Sequence, residues 1–207
     1  MADAIYHRGP DDQAFGHFAF ANGVFDIAAS ASEICDTPVD VTVGFNRLSI
    51  RDVSQAGRQP MVHAEAGIGL IYNGELYNAD EHREKLKASG IKFRSGSDTE
   101  VLLQLLVRDG PRRTLDQLNG MFAFACIDFK KGLVTLARDH FGIKPLYWTL
   151  CGGELLFASE AKSFLSHPRF AAEINPDVVS EFLAFRFAAY DDTLLKNVRR
   201  LPPGHLM

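Results

Sequence analysis

Residues 121–129, Met-Phe-Ala-Phe-Ala-Cys-Ile-Asp-Phe, constrain this fold more than any other segment. Successive side chains of a strand point to opposite faces, and here both faces are apolar, so the sheet that holds this strand is covered on both sides. Lys130-Lys131-Gly132 reads as a turn, and residues 133–137 run back as a neighbouring strand. Further strands are predicted at 15–21, 24–28, 39–45 and 68–72, with another hairpin formed by 146–150 and 155–158 around Cys151-Gly152-Gly153-Glu154. Strands follow strands, and helices come in groups between them. That order argues against alternating βαβ units and for layered α+β packing, most economically a four-layer αββα sandwich with two stacked sheets between helices. At 207 residues with 46% hydrophobic content, the chain has enough apolar material for such a core.

Helices are expected where capping signals stand. Asn78 with Glu81 three residues on opens one that Gly90 closes. Ser97-Asp98-Thr99-Glu100 is a capping-box pattern opening a second, which ends near Gly110-Pro111. Asn175-Pro176 opens a third, a helical pattern covers 159–165, and residues 1–6 look like the last turns of a helix stopped by His7-Arg8-Gly9-Pro10. Residues 30–38 are small and polar and read as a loop.

Several classes of function are disfavoured. The formal charge of −4 comes without a basic block, so no nucleic-acid footprint is present. No apolar run reaches membrane-spanning length and no secretory signal opens the chain. Cys35, Cys126 and Cys151 lack metal-type or redox spacing, and Cys126 reads as a small core residue, which fits a reducing cytoplasm. His7, His63 and His140 are scattered without ligand spacing, so no metal site is expected. There is no phosphate-binding glycine loop, so no nucleotide cofactor is expected in the chain.

Candidate chemistry begins at Asn73-Gly74, which follows the apolar run 68–72. An amide side chain with a free backbone N–H beside it suits an oxyanion hole, but Asn-Gly between apolar residues is also a strong hairpin signal. Arg47, at the end of the 39–45 strand, is shaped to take a carboxylate through two parallel bonds, or it simply pairs with Asp52 or solvent. Asp98 is able to accept from an ammonium group or to serve only its helix N-terminus. Glu75 and Glu100 have the chemistry of an acid–base pair, yet nothing local distinguishes them from solvated carboxylates.

The order of motifs is more specific than any one of them. His7-Arg8-Gly9-Pro10-Asp11-Asp12 is followed by Arg47-Leu48-Ser49-Ile50, Gln59-Pro60-Met61 and Asn73-Gly74-Glu75-Leu76-Tyr77-Asn78. Then come Ser97-Asp98-Thr99-Glu100, Leu118-Asn119-Gly120-Met121-Phe122-Ala123-Phe124, the Gly142 to Tyr147 segment, Phe157-Ala158-Ser159-Glu160 and Leu201-Pro202-Pro203-Gly204-His205. Over essentially its whole length the chain resembles the N-terminal class II glutamine amidotransferase domain of glutamine-hydrolysing asparagine synthetases. The resemblance implies an N-terminal-nucleophile hydrolase fold and L-glutamine as ligand. It implies that Arg47 holds the glutamine α-carboxylate, that Leu48, Ser49, Ile50 and Arg51 line the pocket, that Asn73 and Gly74 form the oxyanion hole, and that Glu75 and Asp98 meet the α-amino end.

The chain departs from the family pattern in ways that bear on activity. The family nucleophile is a cysteine at the mature N-terminus, in a Met-Cys-Gly-Ile opening, assisted by its own α-amine, a group that titrates at roughly 7.7–8.0. Here the opening is Met1-Ala2, and the family's first strand and most of its first helix lack counterparts. No Ser-Gly-Gly-x-Asp-Ser loop of the synthetase domain occurs either, so ATP and Mg are expected only for that domain, the partner implied by the resemblance. Gly44-Phe45-Asn46 stands where the family usually has Gly-His-Arg, with Arg47 kept. The expectation is a partial amidotransferase domain over residues 1–207, inactive by itself. A non-catalytic glutamine-binding or docking module, or a start site placed too far downstream, stand as alternatives. A homodimer is left open.

Overall fold

The computed structural model describes residues 1–29, 38–48 and 54–207. Among these residues ten strands form three sheets: β1 (Asp12–Ala19), β2 (Val24–Ala28) and β3 (Val41–Arg47); β4 (Met61–His63), β5 (Ile68–Leu76), β6 (Gly120–Asp128) and β7 (Leu133–Arg138); and β8 (Tyr147–Cys151), β9 (Glu154–Ala158) and β10 (Arg199–Arg200). Their orders are β2-β1-β3, β4-β5-β6-β7 and β10-β8-β9, every strand pairing among the described residues being antiparallel. The helices are α1 (Ala79–Ala88), α2 (Asp98–Leu115) and α3 (Pro176–Phe185).

The apolar alternation of β6 sorts into two cores. Phe122, Phe124 and Cys126 face α1 and α2 together with Leu70, Tyr72 and Leu76 of β5, packing on Leu86, Val101, Leu102, Leu105 and Leu106. Ala123, Ala125 and Ile127 face the other way, the first two against Leu146 and Leu201 and the last against Phe18 and Val43. The central sheet is therefore covered on both sides, as its sequence requires, and the layers run helices, sheet, sheets. The outermost layer is thin. Short 3-10 segments take the place of long helices there: Asp3–Arg8, tied to the outer face of β3 where Asn46 Nδ2 donates to the Ala2 carbonyl at 2.8 Å, and Ala161–Ser166 beside β9. Among the residues of α3, only Val178 is buried.

Three expectations about element ends are corrected. Strand β5 does not stop at Tyr72; Asn73, Gly74, Glu75 and Leu76 continue it, opposite Ala123, Phe122, Met121 and Gly120. Asn78 precedes α1 without capping it through its side chain, which instead accepts from the Asn119 N–H and donates to the Gln117 carbonyl. Helix α2 breaks at Gly110, whose φ of 74° lies in the left-handed region, but helical turns resume after Pro111 and reach Leu115. The 30–38 loop falls outside the described residues except for Pro38.

The second layer is divided. β3 pairs with β1 along one edge and β9 with β8 along one edge; their other edges both line a single cavity of about 1000 Å³. Ile71, Ala123, Ala125 and Val134 of the central sheet also line it. Arg47, Asn73, Gly74, Glu75 and Asp98 line the same slot.

Candidate functional site

Three elements contribute candidate site residues to the slot. Arg47 ends β3, Asn73, Gly74 and Glu75 lie near the end of β5, and Asp98 opens α2; all five residues line the cavity. Leu48 also lines it and is largely exposed, whereas Ser49, Ile50 and Arg51 lie outside the described residues.

Arg47 is buried, with 8% of its surface exposed, which removes the simple surface-arginine reading. Its Nη1 donates to the Ser54 carbonyl at 2.9 Å, a bond that aims the guanidinium from the end of its strand. Asp98 is both a helix residue and part of the site. Ser97 caps α2 by accepting from the Thr99 N–H at 3.1 Å, which leaves the Asp98 carboxylate to look elsewhere. One oxygen, Oδ2, accepts from the Tyr72 hydroxyl at 3.0 Å and from the Leu76 N–H at 2.9 Å. Its Oδ1 makes no hydrogen bond to a described residue, on a side chain that lines the cavity.

The edge of β5 explains Gly74. Phe122, the residue opposite, turns its main chain toward β7, donating to Asp139 Oδ2 at 3.2 Å and accepting from the Asp139 N–H at 2.8 Å. In an antiparallel pair both main-chain groups of a residue point the same way, so Gly74 makes no ladder bond to Phe122 and presents its N–H along the opposite edge. On that edge the Tyr72 N–H donates to Gln59 Oε1 at 2.6 Å and the Leu76 N–H to Asp98. Between them the Gly74 N–H has no acceptor among the described residues. The Asn73 side-chain amide likewise makes no hydrogen bond to a described residue and lines the same cavity. Two amide donors lining the same cavity as a buried guanidinium and a buried carboxylate have the chemistry to receive a zwitterionic amino acid and a developing oxyanion.

Glu100 does not belong to this group. It is buried, against the expectation of a solvated carboxylate, and its oxygens accept from the N–H groups of Arg94 and Ser95 and from Ser95 Oγ at 2.6–3.1 Å, shaping the approach to α2. Neither Cys126 nor Cys151 lines the cavity. Cys126 faces the helices, and burial, with Asp128 nearby, pushes its thiol up to about 12, far from nucleophilic use at neutral pH. Among the described residues no group of three or more His, Cys, Asp or Glu is placed to hold a metal ion, and no helix is long and apolar enough to cross a membrane. Near the site, the His7-Arg8 and Phe157–Glu160 motifs meet: Glu160 accepts from His7 and Arg8 at 3.0 Å, with Lys162 at 3.2 Å. Burial opposes ionisation of that carboxyl, but bonds from Arg8, Lys162 and His7 outweigh it and hold it below the ordinary range.

A family model for the glutamine amidotransferase domain matches residues 29–207. The chain belongs to this family. The amidotransferase domain is 35% identical over 211 residues to asparagine synthetase [glutamine-hydrolyzing] 3 of Bacillus subtilis, covering 100% of the chain and 31% of that relative. It is 36% identical over 204 residues to asparagine synthetase [glutamine-hydrolyzing] 1 of the same organism, covering 99% and 29%. A third relative is amidase chyE of Penicillium rubens, 34% identical over 206 residues, covering 99% and 27%. The domain thus spans about a third or less of the length of these curated relatives. Among solved structures it is similar to the glutamine phosphoribosylpyrophosphate amidotransferase of B. subtilis, with a TM-score of 0.66 and 23% identity, over 84% of this chain and 41% of that one. That likeness shows a shared fold, with mixed helices and layered sheets.

Gln59, Tyr72 and Thr99 escaped the sequence reading as site residues. Gln59 and Tyr72 are thirteen positions apart, and only the β4–β5 register brings them opposite one another. Pro60 was the available signal: a proline without an N–H beside a short strand leaves ladder partners for something else to satisfy.

Proposed function

We propose that this domain binds L-glutamine at the Arg47 end of the slot and serves the glutamine-hydrolysing half-reaction of an asparagine synthetase. The observation that carries this reading is that Arg47, Asn73, Gly74 and Asp98 all line one cavity, with Asp98 tied to β5 through the Tyr72 hydroxyl and the Leu76 N–H. Arg47 takes the α-carboxylate and Asp98 Oδ1 the α-ammonium, with Glu75 nearby. The side-chain carboxamide then lies toward Asn73 and the Gly74 N–H. A thiolate adding to the carboxamide carbon forms a tetrahedral oxyanion that these two amides stabilise; ammonia departs with a proton, and water cleaves the thioester to glutamate.

The described cysteines cannot supply that thiolate, since neither reaches the cavity. The slot suggests where it comes from. Two strand edges face a floor of Ile71, Ala123, Ala125 and Val134, which suits an extended segment with alternating apolar residues, bonded to both edges and bringing its thiol to Asn73. The ammonia so released would be consumed by attack on an activated aspartate in a synthetase domain.

Calorimetric or NMR titration with L-glutamine tests the pocket: binding is expected for the 207-residue protein and is expected to be lost in Arg47→Ala. The same protein is expected to release no glutamate from glutamine. Absence of glutamine binding would overturn the pocket assignment. Steady glutamate release would overturn the need for a thiol from outside the described residues. Glutamine binding without any gain of hydrolysis when a thiol-bearing segment is supplied would favour a non-catalytic glutamine-binding module, which the lack of a described cysteine in the site also favours.

A further inference from the structure

The edge of β5 beside the glutamine pocket is held by a side chain rather than by a strand. β4 pairs with β5 through Met61, Val62 and His63, opposite Leu70, Gly69 and Ile68. Continuing that register puts Gln59 opposite Tyr72, but Pro60 intervenes and has no N–H to donate. The Gln59 carboxamide takes over the ladder. Its Oε1 accepts from the Tyr72 N–H at 2.6 Å, and its Nε2 donates to the Tyr72 carbonyl at 3.0 Å and to Thr99 Oγ1 at 3.3 Å. Gln59, Tyr72 and Thr99 are all buried, with 3–6% of their surface exposed. One side chain thereby joins the residue before Asn73 to the residue after Asp98.

Tyr72 carries the connection onward. Its main chain is fixed by Gln59 while its hydroxyl donates to Asp98 Oδ2, the oxygen that also receives the Leu76 N–H. The N–H groups flanking that of Gly74 are thus occupied by Gln59 on one side and by Asp98 on the other. A free donor between two tethered ones cannot swing away with a fraying edge. The carboxylate proposed for the α-ammonium group is oriented by the same unit, with Oδ2 used by the protein and Oδ1 left for ligand.

We propose that Gln59 and Tyr72 are positioning residues for glutamine recognition, locking the Gly74 donor and the Asp98 carboxylate into one rigid unit. The proposal rests on the glutamine-binding reading above. It requires that loss of the unit be felt most by a ligand that uses Asp98. L-glutamine has an α-ammonium group; glutaramate, the same molecule without it, keeps the carboxylate for Arg47 and the carboxamide for Asn73.

NMR titration of the 207-residue protein with both ligands tests this. Tyr72→Phe removes one hydroxyl and preserves the ring, so the fold is expected to persist. Its Kd for L-glutamine is expected to rise about tenfold, the effect of losing one bond to a charged group, with that for glutaramate changed by less than about twofold. Gln59→Met, which keeps the bulk and loses the amide that tethers the edge beside Gly74, is expected to weaken L-glutamine at least as much and to weaken glutaramate as well, but several-fold less than L-glutamine. A merely structural role would weaken both ligands in parallel. Parallel weakening, or no change in either variant, overturns the inference while leaving the pocket standing. Failure of the wild-type domain to bind L-glutamine instead overturns the function on which the inference rests. Should Gln59→Met not fold, the ligand ratio in Tyr72→Phe decides.

Discussion

A methyl group added at Gly74 would run into the carbonyl oxygen of Met121 and the Cα of Phe122. Both obstacles are main chain of β6, so no side-chain rotation relieves them. The residue is a glycine because β5 and β6 approach closely beside the pocket. Gly74→Ala is expected to cost roughly 1–3 kcal/mol, as over-packing does, and to weaken L-glutamine because β5 must shift at its donor. Denaturant unfolding and titration of the same sample check this; an unchanged unfolding midpoint with full affinity would contradict the close approach. The sequence displayed Asn73-Gly74 openly but left its meaning ambiguous. A hairpin and an oxyanion element use the same dipeptide; pairing with the facing strand removes the hairpin, and the oxyanion role is the one proposed above. Arg47 was similarly ambiguous; burial removes solvent as its partner, and Asp52, the other partner expected for it, lies outside the described residues.

At the scale of elements, Asp139 shows how a loop is pinned beside the central sheet. Its carboxylate accepts from the N–H groups of Phe122, Phe141, Ile143 and Lys144 at 3.0–3.2 Å, fixing the turn after β7 onto the end of β6. Burial pushes against ionisation, but those four backbone donors win and hold the carboxyl below its ordinary 3.8. A depressed folded-state value means stability that is present in full above the ordinary value and lost as pH falls through the folded one. Asp139→Asn puts an NH₂ where N–H donors already point. It is expected to destabilise the domain by about 1–3 kcal/mol at neutral pH, with the gap to wild type closing in strong acid; denaturant unfolding at several pH values measures it. The gap persisting unchanged at the acid end would mean that the charge is not responsible. Strands such as β6 and β7 were legible because alternation records which faces are covered. The continuation of β5 through Leu76 was not, because a turn signal is local and pairing with β6 is not. The 159–165 segment carries a helical pattern yet forms a 3-10 segment at Ala161–Ser166.

For the whole molecule, the divided second layer is the feature on which the proposed glutamine hydrolysis depends. The sequence made two covered sheets legible, but not the slot, since a gap between strand edges leaves no periodic trace in either strand. Amides of Val41–Arg47 turned away from β1, and those of Glu154–Ala158 turned away from β8, face the cavity and lack a described strand partner. They are expected to exchange with solvent much faster than the amides of β5 and β6 that pair with one another in the central sheet, a contrast hydrogen exchange resolves residue by residue. Edges without a described strand partner over an apolar floor also make the slot receptive to one more strand. A synthetic extended peptide that begins with cysteine and alternates apolar and polar residues is therefore expected to slow exchange along both edges together and to raise the melting temperature. If its thiol reaches Asn73 and Gly74, slow glutamate release from L-glutamine should appear with the peptide and vanish when its cysteine is replaced by alanine. Protection of only one edge would mean that the cavity is wider than a single strand and that the thiol enters by another route.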